Sequence, residues 1–324
     1  ELDRIVEKFH PKSASIVVMN PLTGGILALA NRPTYDLNRA AQTEDKIRRN
    51  RAITDLFEPG SVFKVITASA ALEESIVEVE DRFFCENGAY RIANHLLHDH
   101  RPHGWLTFRE IIEQSSNIGV TKVAQKIGKG LLYKYIKKFG FGGKLGIDLP
   151  GEVSGIVKES SRWSELSIGA VPFGQEVGVT VLQLASAISV IANQGRLMKP
   201  YVVCEIRDEE GVPVKQFYPE VLTRVISAET ALKLKEILVG VIENGTGRLA
   251  RIEGLPVAGK TGTAQKIESN GRYSHRKFIA SFIGFAPVDN PKIAVAVVVD
   301  EPQPVYYGGV VCAPAFKNIC SDVL

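Results

Sequence analysis

The sequence predicts a mixed α/β fold of the multi-domain α+β type, in which helices cover a five-stranded antiparallel sheet and form an all-helical lobe beside it. Segments with strand character lie near both ends of the 324-residue chain, whereas apolar residues in the middle recur at helical spacings of three and four. Strands at both ends of a chain with helices between them indicate one sheet completed by both ends.

The strand segments are short, apolar and bounded by turn residues. A hairpin is predicted near the start, because two apolar runs flank a segment rich in Asn, Pro and Gly. Polar connections at 269–277 and 289–291 separate three further strands near the end. The five predicted strands are 14–19, 26–30, 257–265, 279–287 and 292–300.

The helical windows are 61–74, 109–128, 180–194 and 227–243. We therefore expect a single domain over 1–324, with a sheet subdomain from about 14–56 and 255–324 and a helical lobe from about 57–254. A cleft between sheet and lobe is the expected active site.

Composition excludes several classes of function. A hydrophobic content of 45% can supply a large core, and a net charge of +3 without a basic run argues against a nucleic-acid partner. The longest apolar run has the length of a strand, so any membrane anchor is expected outside this segment. Cys312 and Cys320 are close enough to pair in an oxidising compartment, although free buried thiols are the favoured interpretation.

No metal or other cofactor is expected. The cysteines contain no CxxC pair. Four histidines fall in one short segment, at His95, His98, His100 and His103. Their spacing does not match a helical HxxxH pair and an Arg-Pro step interrupts the segment, so we predict a solvated loop there.

A serine and a lysine open the first predicted helix. Ser61 and Lys64 are three residues apart and therefore share one face of a helix that is apolar nearly all round. A hydroxyl at a helix N-terminus lies beside unpaired backbone N–H groups that can bind an oxyanion. The same SxxK pattern recurs at Ser274 and Lys277, in a polar connection, where we interpret it as a coincidence.

Two further motifs follow in the order that serine enzymes acylated by penicillin use. They are the SxN motif at 115–117 and the KTG motif at 260–262, on a predicted strand. Matching flanks precede Ser61 (Glu-Pro-Gly), follow the KTG motif (Thr-Ala) and occupy 102–105 and 146–152. From about residue 15 onward the sequence resembles class B penicillin-binding proteins, and Tyr-Tyr-Gly-Gly at 306–309 is most similar to the division-type, FtsI-like members.

This resemblance implies the fold of serine β-lactamases and D,D-transpeptidases, with Ser61 as the nucleophile. Lys64 would be the general base, since burial and a nearby cation can lower a lysine pKa toward neutrality. Lys260 would be that cation. Ser115 would pass a proton to the leaving amine, and Asn117 would orient the substrate amide and the lysine.

The strand motif would recognise the substrate. Thr261 and Thr263, with Lys260, are expected to bind its terminal carboxylate. The backbone N–H groups of Ser61 and Thr263 would form the oxyanion hole. Gly262 would let the substrate backbone approach the edge strand.

Several activities share these motifs, and they differ in the fate of the acyl-serine. No ExxLN motif is present to activate a deacylating water as in class A β-lactamases, and a β-lactam sensor would require a transmembrane partner segment. The favoured prediction is a peptidoglycan D,D-transpeptidase that cleaves D-Ala-D-Ala, cross-links stem peptides and is inhibited by β-lactams. A D,D-carboxypeptidase, which uses water as the acceptor, is a close variant.

The resemblance also implies a cellular setting. The expected partners are peptidoglycan stem peptides, β-lactam antibiotics, a polytopic membrane glycosyltransferase and division or elongation proteins. The expected location is the extracytoplasmic, periplasmic face of the bacterial cytoplasmic membrane, with an N-terminal anchor and pedestal outside this segment.

Overall fold

A computed structural model describes all 324 residues and contains the predicted sheet. Its strands are β1 (Ser13–Met19), β2 (Ile26–Arg32), β3 (Ala258–Ile267), β4 (Tyr273–Ala286) and β5 (Ile293–Asp300). All neighbouring strands are antiparallel, and their order across the sheet is β3-β4-β5-β1-β2. The predicted five-stranded antiparallel sheet is confirmed, and β3, which carries the KTG motif, lies at one edge.

The sheet is covered on both faces. Along β1, Val17 and Met19 point into the larger core, which lies between the sheet and the central helices. Ile16 and Val18 point into a smaller core beneath the two terminal helices. Both faces of β1 are therefore apolar, as expected for a central strand.

The longer helices surround this sheet. They are α1 (Leu2–Phe9), α2 (Lys64–Glu73), α3 (Phe108–Glu113), α4 (Asn117–Ile127), α5 (Lys129–Lys138), α6 (Val181–Ala192), α7 (Ala228–Glu243) and α8 (Ala313–Val323). Four single-turn α-helices are Asp45–Arg48, Arg51–Thr54, Ser167–Ala170 and Gly308–Val311. The 3-10 helices are Leu37–Gln42, Gly60–Phe63, Glu86–Gly88, Ser160–Arg162, Val171–Phe173 and Arg248–Ala250.

The prediction of an all-helical lobe is wrong, because five two-stranded sheets lie within it. Their strand pairs are Arg82–Phe84 with Trp105–Thr107, Ala89–Ile92 with His95–His98, Ile156–Val157 with Val177–Gly178, Arg196–Met198 with Val221–Arg224, and Glu205–Arg207 with Pro213–Gln216. Strands of two to four residues are too short to show a periodic pattern, so hydrophobic periodicity could not predict them.

The predicted helix over 109–128 is interrupted. The Thr107 side chain forms a capping box with Glu110 at the start of α3, and Ser116 Oγ accepts a hydrogen bond from Gly119 N at the start of α4. Each cap begins a separate helix, which leaves a non-helical turn at 114–116 between them.

Two other predicted boundaries shift. The window 61–74 opens as the 3-10 turn Gly60–Phe63, and the α-helix itself starts at Lys64. The strand predicted from 279 starts at Tyr273, inside the expected polar connection, because Tyr273 pairs with Ile267 across the hairpin. Polar residues thus extend β4 beyond the core.

No helix in the structure combines the length and the apolar content that crossing a bilayer requires. Cys312 and Cys320 are both free and buried, and burial raises the pKa of each thiol.

Candidate active site

Ser61 lies in the 3-10 turn Gly60–Phe63, directly before α2. Gly60 has a φ of +62°, and a Cβ added there would lie 3.1 Å from the Thr263 carbonyl oxygen. The turn therefore packs directly against the edge strand β3. The Ser61 side chain remains partly exposed beside that strand.

Lys64, the first residue of α2, is fully buried. Its Nζ donates to Ser115 O at 2.5 Å, to Asn117 Oδ1 at 2.8 Å and to Ser115 Oγ at 3.1 Å. None of these bonds goes to Ser61, although Lys64 is the predicted base for its hydroxyl. The Lys64 amine is instead hydrogen-bonded to Ser115, in the turn at 114–116, and to Asn117.

An ammonium group would donate in all three contacts, whereas a neutral amine would donate in two of them and face the Ser115 hydroxyl with its lone pair. A neutral amine has two N–H groups and one lone pair, whereas an ammonium group has three donors and no lone pair. Ser115 O and Asn117 Oδ1 can only accept, so they would engage the two N–H groups of a neutral amine. Its lone pair is then left for a hydroxyl proton.

The SxN motif occupies the turn between α3 and α4. Ser115 has a φ of +61°, which is unfavourable for a residue with a side chain. This conformation brings both Ser115 O and Ser115 Oγ within hydrogen-bonding distance of Lys64. Asn117, at the start of α4, accepts from the same amine and donates through Nδ2 to His98 O at 3.1 Å.

Lys260 approaches the same serine from β3. It is fully buried, and its Nζ donates to Ser115 Oγ at 3.0 Å and to Thr261 O at 3.1 Å. Lys64 and Lys260 thus contact one shared oxygen, and the three motifs predicted from the sequence meet in space.

Burial dominates the protonation of both lysines. It lowers the pKa of Lys64 well below its usual range, and the charge of Lys260 lowers it further, while Asp99 acts in the opposite direction. Burial lowers the pKa of Lys260 to about 7. Both shifts favour a neutral amine in this pair, and the charge of Lys260 favours it at Lys64.

The threonines of β3 form a polar wall. Thr261 Oγ1 lies 2.6 Å from Thr246 Oγ1, just beyond α7, and Thr263 Oγ1 accepts from Gly308 N at 3.1 Å. The sequence predicts Thr261 and Thr263 as ligand-binding residues and leaves out Thr246. The Thr246 hydroxyl in fact extends the wall.

Gly262 has a packing role in addition to the predicted one, which stays a prediction. A Cβ at this position would lie 2.3 Å from Ser281 Oγ, 3.0 Å from Pro59 O and 3.0 Å from Val62 Cγ1. The missing side chain therefore makes room for the turn that carries Ser61.

Together these groups suit acyl transfer to a serine. A neutral buried amine can accept a hydroxyl proton, a cation beside threonine hydroxyls can bind a carboxylate, and Ser115 connects the two lysines.

Comparison with known proteins agrees with this chemistry. The family model for the penicillin-binding protein transpeptidase domain matches residues 14–321. The chain belongs to this family. This transpeptidase domain is 40% identical to Stage V sporulation protein D of Bacillus subtilis. It is 37% identical to the probable peptidoglycan D,D-transpeptidase PenA of Neisseria flavescens.

Both alignments, and one with FtsI of Escherichia coli at 35% identity, cover 100% of this transpeptidase domain. They cover 51% of the sporulation protein, 78% of PenA and 53% of FtsI. The chain therefore spans about half the length of several of its curated relatives.

Solved structures show the same fold. Penicillin-binding protein 3 of Mycobacterium tuberculosis, in complex with aztreonam, superposes with a TM-score of 0.92 and 31% identity, over 99% of this chain and 74% of that one. The transpeptidase domain of Burkholderia pseudomallei penicillin-binding protein 3 gives a TM-score of 0.85 and 33% identity, over 99% and 90%. The Mycobacterium protein was also solved with ampicillin.

The second SxxK pattern lies outside this site. Ser274 and Lys277 belong to strand β4 rather than to a loop, and Ser274 Oγ accepts from the backbone N–H groups of Arg276 and Lys277. Ser274 is buried whereas Lys277 is exposed, so the pair cannot share a reaction cleft.

The histidine segment of the transpeptidase domain is not the predicted solvated loop. His95–His98 is a strand paired with Ala89–Ile92, and the His100 ring lies 5.3 Å from the Tyr307 ring. The structure contains no group of three or more His, Cys, Asp or Glu residues arranged to hold a metal ion.

Proposed function

We propose that this chain is the catalytic domain of a peptidoglycan D,D-transpeptidase that works through an acyl-enzyme on Ser61. The observation that carries the proposal is the convergence of two buried lysines on Ser115 Oγ, beside the partly exposed Ser61 turn. Its substrate would be a stem peptide that ends in D-Ala-D-Ala.

In the acylation step, neutral Lys64 takes the Ser61 hydroxyl proton while Oγ attacks the carbonyl carbon of the penultimate D-Ala. The backbone N–H groups of Ser61 and Thr263 stabilise the oxyanion. Ser115 relays the proton from Lys64 to the amine of the leaving D-Ala, so the peptide bond breaks and D-Ala departs. The Lys64 amine is then neutral again.

The strand wall selects the substrate. Lys260, with the hydroxyls of Thr261 and Thr263, binds the terminal carboxylate that a stem peptide and a penicillin share. Thr246 contributes through its contact with Thr261. In the second step, an amine of a neighbouring stem peptide attacks the ester carbonyl carbon. The new C–N bond forms, the bond from that carbon to Ser61 Oγ breaks, and a proton of the attacking amine passes through Lys64 to Ser61.

Asp99 does not serve as a base for hydrolysis of the ester, which a β-lactamase would need. Its carboxylate contributes to the electrostatic environment of Lys64. Both its oxygens already accept hydrogen bonds, from Ser116, Asn117 and Ile118, so it cannot readily activate a water.

The cellular setting is proposed from family membership. We place the whole protein at the extracytoplasmic face of the bacterial cytoplasmic membrane, with a polytopic glycosyltransferase and division or elongation proteins as partners. The names of its relatives, a sporulation protein and FtsI, are compatible with a role in wall synthesis during division or sporulation.

Labelling with a fluorescent penicillin tests the proposal. We expect one covalent adduct by intact-protein mass spectrometry, absent in Ser61→Ala and retained in the matched control Ser274→Ala. An adduct lifetime of minutes to hours supports a transpeptidase, whereas release within a second indicates a β-lactamase. Labelling that survives in Ser61→Ala and disappears in Ser274→Ala would overturn the choice of nucleophile.

A further inference from the structure

We propose that Asp99 is a positioning residue for acylation, whose carboxylate holds the turn at 114–116 and Asn117 against the Lys64 amine. The inference rests on the proposed function and assigns a part of its machinery that the three sequence motifs do not contain. Asp99 contacts neither Ser61 nor the cleft wall formed by β3, so it acts through its neighbours.

The contacts of Asp99 are concentrated on the SxN motif. Oδ1 accepts from Asn117 N at 2.5 Å and from Ile118 N at 3.0 Å, and Oδ2 accepts from Ser116 Oγ at 2.6 Å. The two N–H groups belong to the first turn of α4, where they have no partner within the helix. A carboxylate is also favoured there by the partial positive charge of a helix N-terminus.

The motif needs such a support because its backbone is strained. Ser115 is in the left-handed region at φ +61°, and Ser116 next to it is extended before α4 begins. This sequence of conformations directs Ser115 O, Ser115 Oγ and Asn117 Oδ1 together at Lys64. Without the carboxylate, three donors lose their acceptor and the turn can relax.

The charge of Asp99 provides a second signature. The charge of Lys260 lowers the pKa of Lys64, whereas the charge of Asp99 raises it. Other titratable groups lie around Asp99: His98 and His100 beside it in the chain, the Cys85 thiol 3.5 Å from Ser116 Oγ, and the Lys122–Glu86 ion pair. A negative charge favours protonated Lys64, so its removal favours the neutral amine.

Two variants of Asp99 distinguish its role in supporting the turn from the effect of its charge on Lys64. Asp99→Asn keeps the shape and one oxygen acceptor but removes the charge, whereas Asp99→Ala removes both. Asp148 provides the matched control, because its two oxygens also cap backbone N–H groups, those of Val202 and Val203, at 2.8 Å each. Those residues contact none of the three motifs, so Asp148→Asn and Asp148→Ala remove an equivalent cap elsewhere.

The experiment measures penicillin acylation by stopped flow from pH 5 to pH 10, separating the dissociation constant of the initial complex from the acylation rate constant. For Asp99→Ala we expect the rate constant to fall about 100-fold with little change in the dissociation constant, since the strand wall is untouched. For Asp99→Asn we expect a smaller fall and an acid limb displaced to lower pH. Both Asp148 variants should match the parent.

Equal acylation rates and unmoved acid limbs in the Asp99 and Asp148 variants would overturn the proposal, as would an acid limb displaced to higher pH in Asp99→Asn. If Asp99→Ala fails to give a cooperative thermal transition, the nearly isosteric Asn variant decides the outcome by its pH profile. A parent chain that is not acylated at all contradicts the proposed function instead, so the two failures are distinguishable.

Discussion

Lys64 and Lys260 direct their amines at the same atom, Ser115 Oγ, at 3.1 and 3.0 Å. One amine comes from helix α2 and the other from strand β3, and both are fully buried. Two ammonium groups cannot share such a site without a large electrostatic cost, so one of them gives up its proton. The ammonium charge of Lys260 lowers the pKa of Lys64, which favours a neutral Lys64.

Replacement of Lys64 tests this assignment. We expect Lys64→Met to lower the penicillin acylation rate by roughly 10²–10⁴-fold, the usual contribution of a general base. The fold should persist, because methionine fills most of the buried volume without a group that needs solvation. Stopped-flow acylation and a thermal melt measure the two effects, with exposed Lys129→Met as control. Acylation of Lys64→Met at the parental rate would exclude Lys64 as the base.

The pKa of Lys260, lowered by burial to about 7, predicts a basic limb in ligand binding. Below this pH the ammonium group attracts the ligand carboxylate, and above it the attraction fades as the proton is lost. We therefore expect the affinity for benzylpenicillin to fall as pH rises beyond about 7, with the bound carboxylate displacing the midpoint upward.

The methyl ester of benzylpenicillin is the control for this pH effect. It has no negative charge to pair with Lys260, so its binding should be weaker and nearly independent of pH over the same range. Dissociation constants from the concentration dependence of acylation provide the measurement. The same basic limb for acid and ester would mean that Lys260 does not bind the carboxylate.

The contact between Thr246 Oγ1 and Thr261 Oγ1, at 2.6 Å, predicts a coupled pair. Thr246→Val removes one hydroxyl at almost constant volume and leaves the other without its partner. We expect the affinity for benzylpenicillin to fall about tenfold, as is usual for a lost hydrogen bond near a charged group. A double-mutant cycle with Thr261→Val should give less than additive losses, and strictly additive losses would show that the two hydroxyls act independently.

Gly262 should tolerate no side chain. In Gly262→Ala the new Cβ would lie 2.3 Å from Ser281 Oγ and 3.0 Å from Pro59 O. We expect a loss of about 1–3 kcal/mol in the free energy of unfolding, typical of overpacking, together with slower acylation as the Ser61 turn is displaced. Chemical denaturation measures the first effect.

A matched glycine and a compensating change complete that test. Gly130 in helix α5 has no atom within 4 Å of an added Cβ, so Gly130→Ala should leave stability unchanged or slightly higher. The additional change Ser281→Gly should recover part of the loss in Gly262→Ala, because it removes the nearest clash. No recovery would indicate that the Pro59 contact dominates.

The sequence predicted the parts of the site that are locally encoded. Ser61 with Lys64, Ser115 with Asn117, and Lys260 with its threonines each lie in a motif of three or four residues. The sheet could also be predicted from the sequence, because its strands are long enough to show an apolar pattern bounded by turn residues.

The remaining features depend on contacts between distant parts of the chain. Asp99 precedes Asn117 by 18 positions, and no local pattern connects a carboxylate with a helix start at that distance. Thr246 has a side-chain role only because α7 ends beside β3. The break before α4 was hidden since apolar residues continue at helical spacing on both sides of Ser116.

The central position of β1, between β5 and β2, has a consequence for synthesis of the protein. A nascent chain on the ribosome can form α2 and α4 early, but its sheet stays open until the last third has emerged. During that time the future base is hydrated and carries its proton like any other lysine. The lowered lysine pKa on which the proposed acylation depends is thus acquired only at the end of folding.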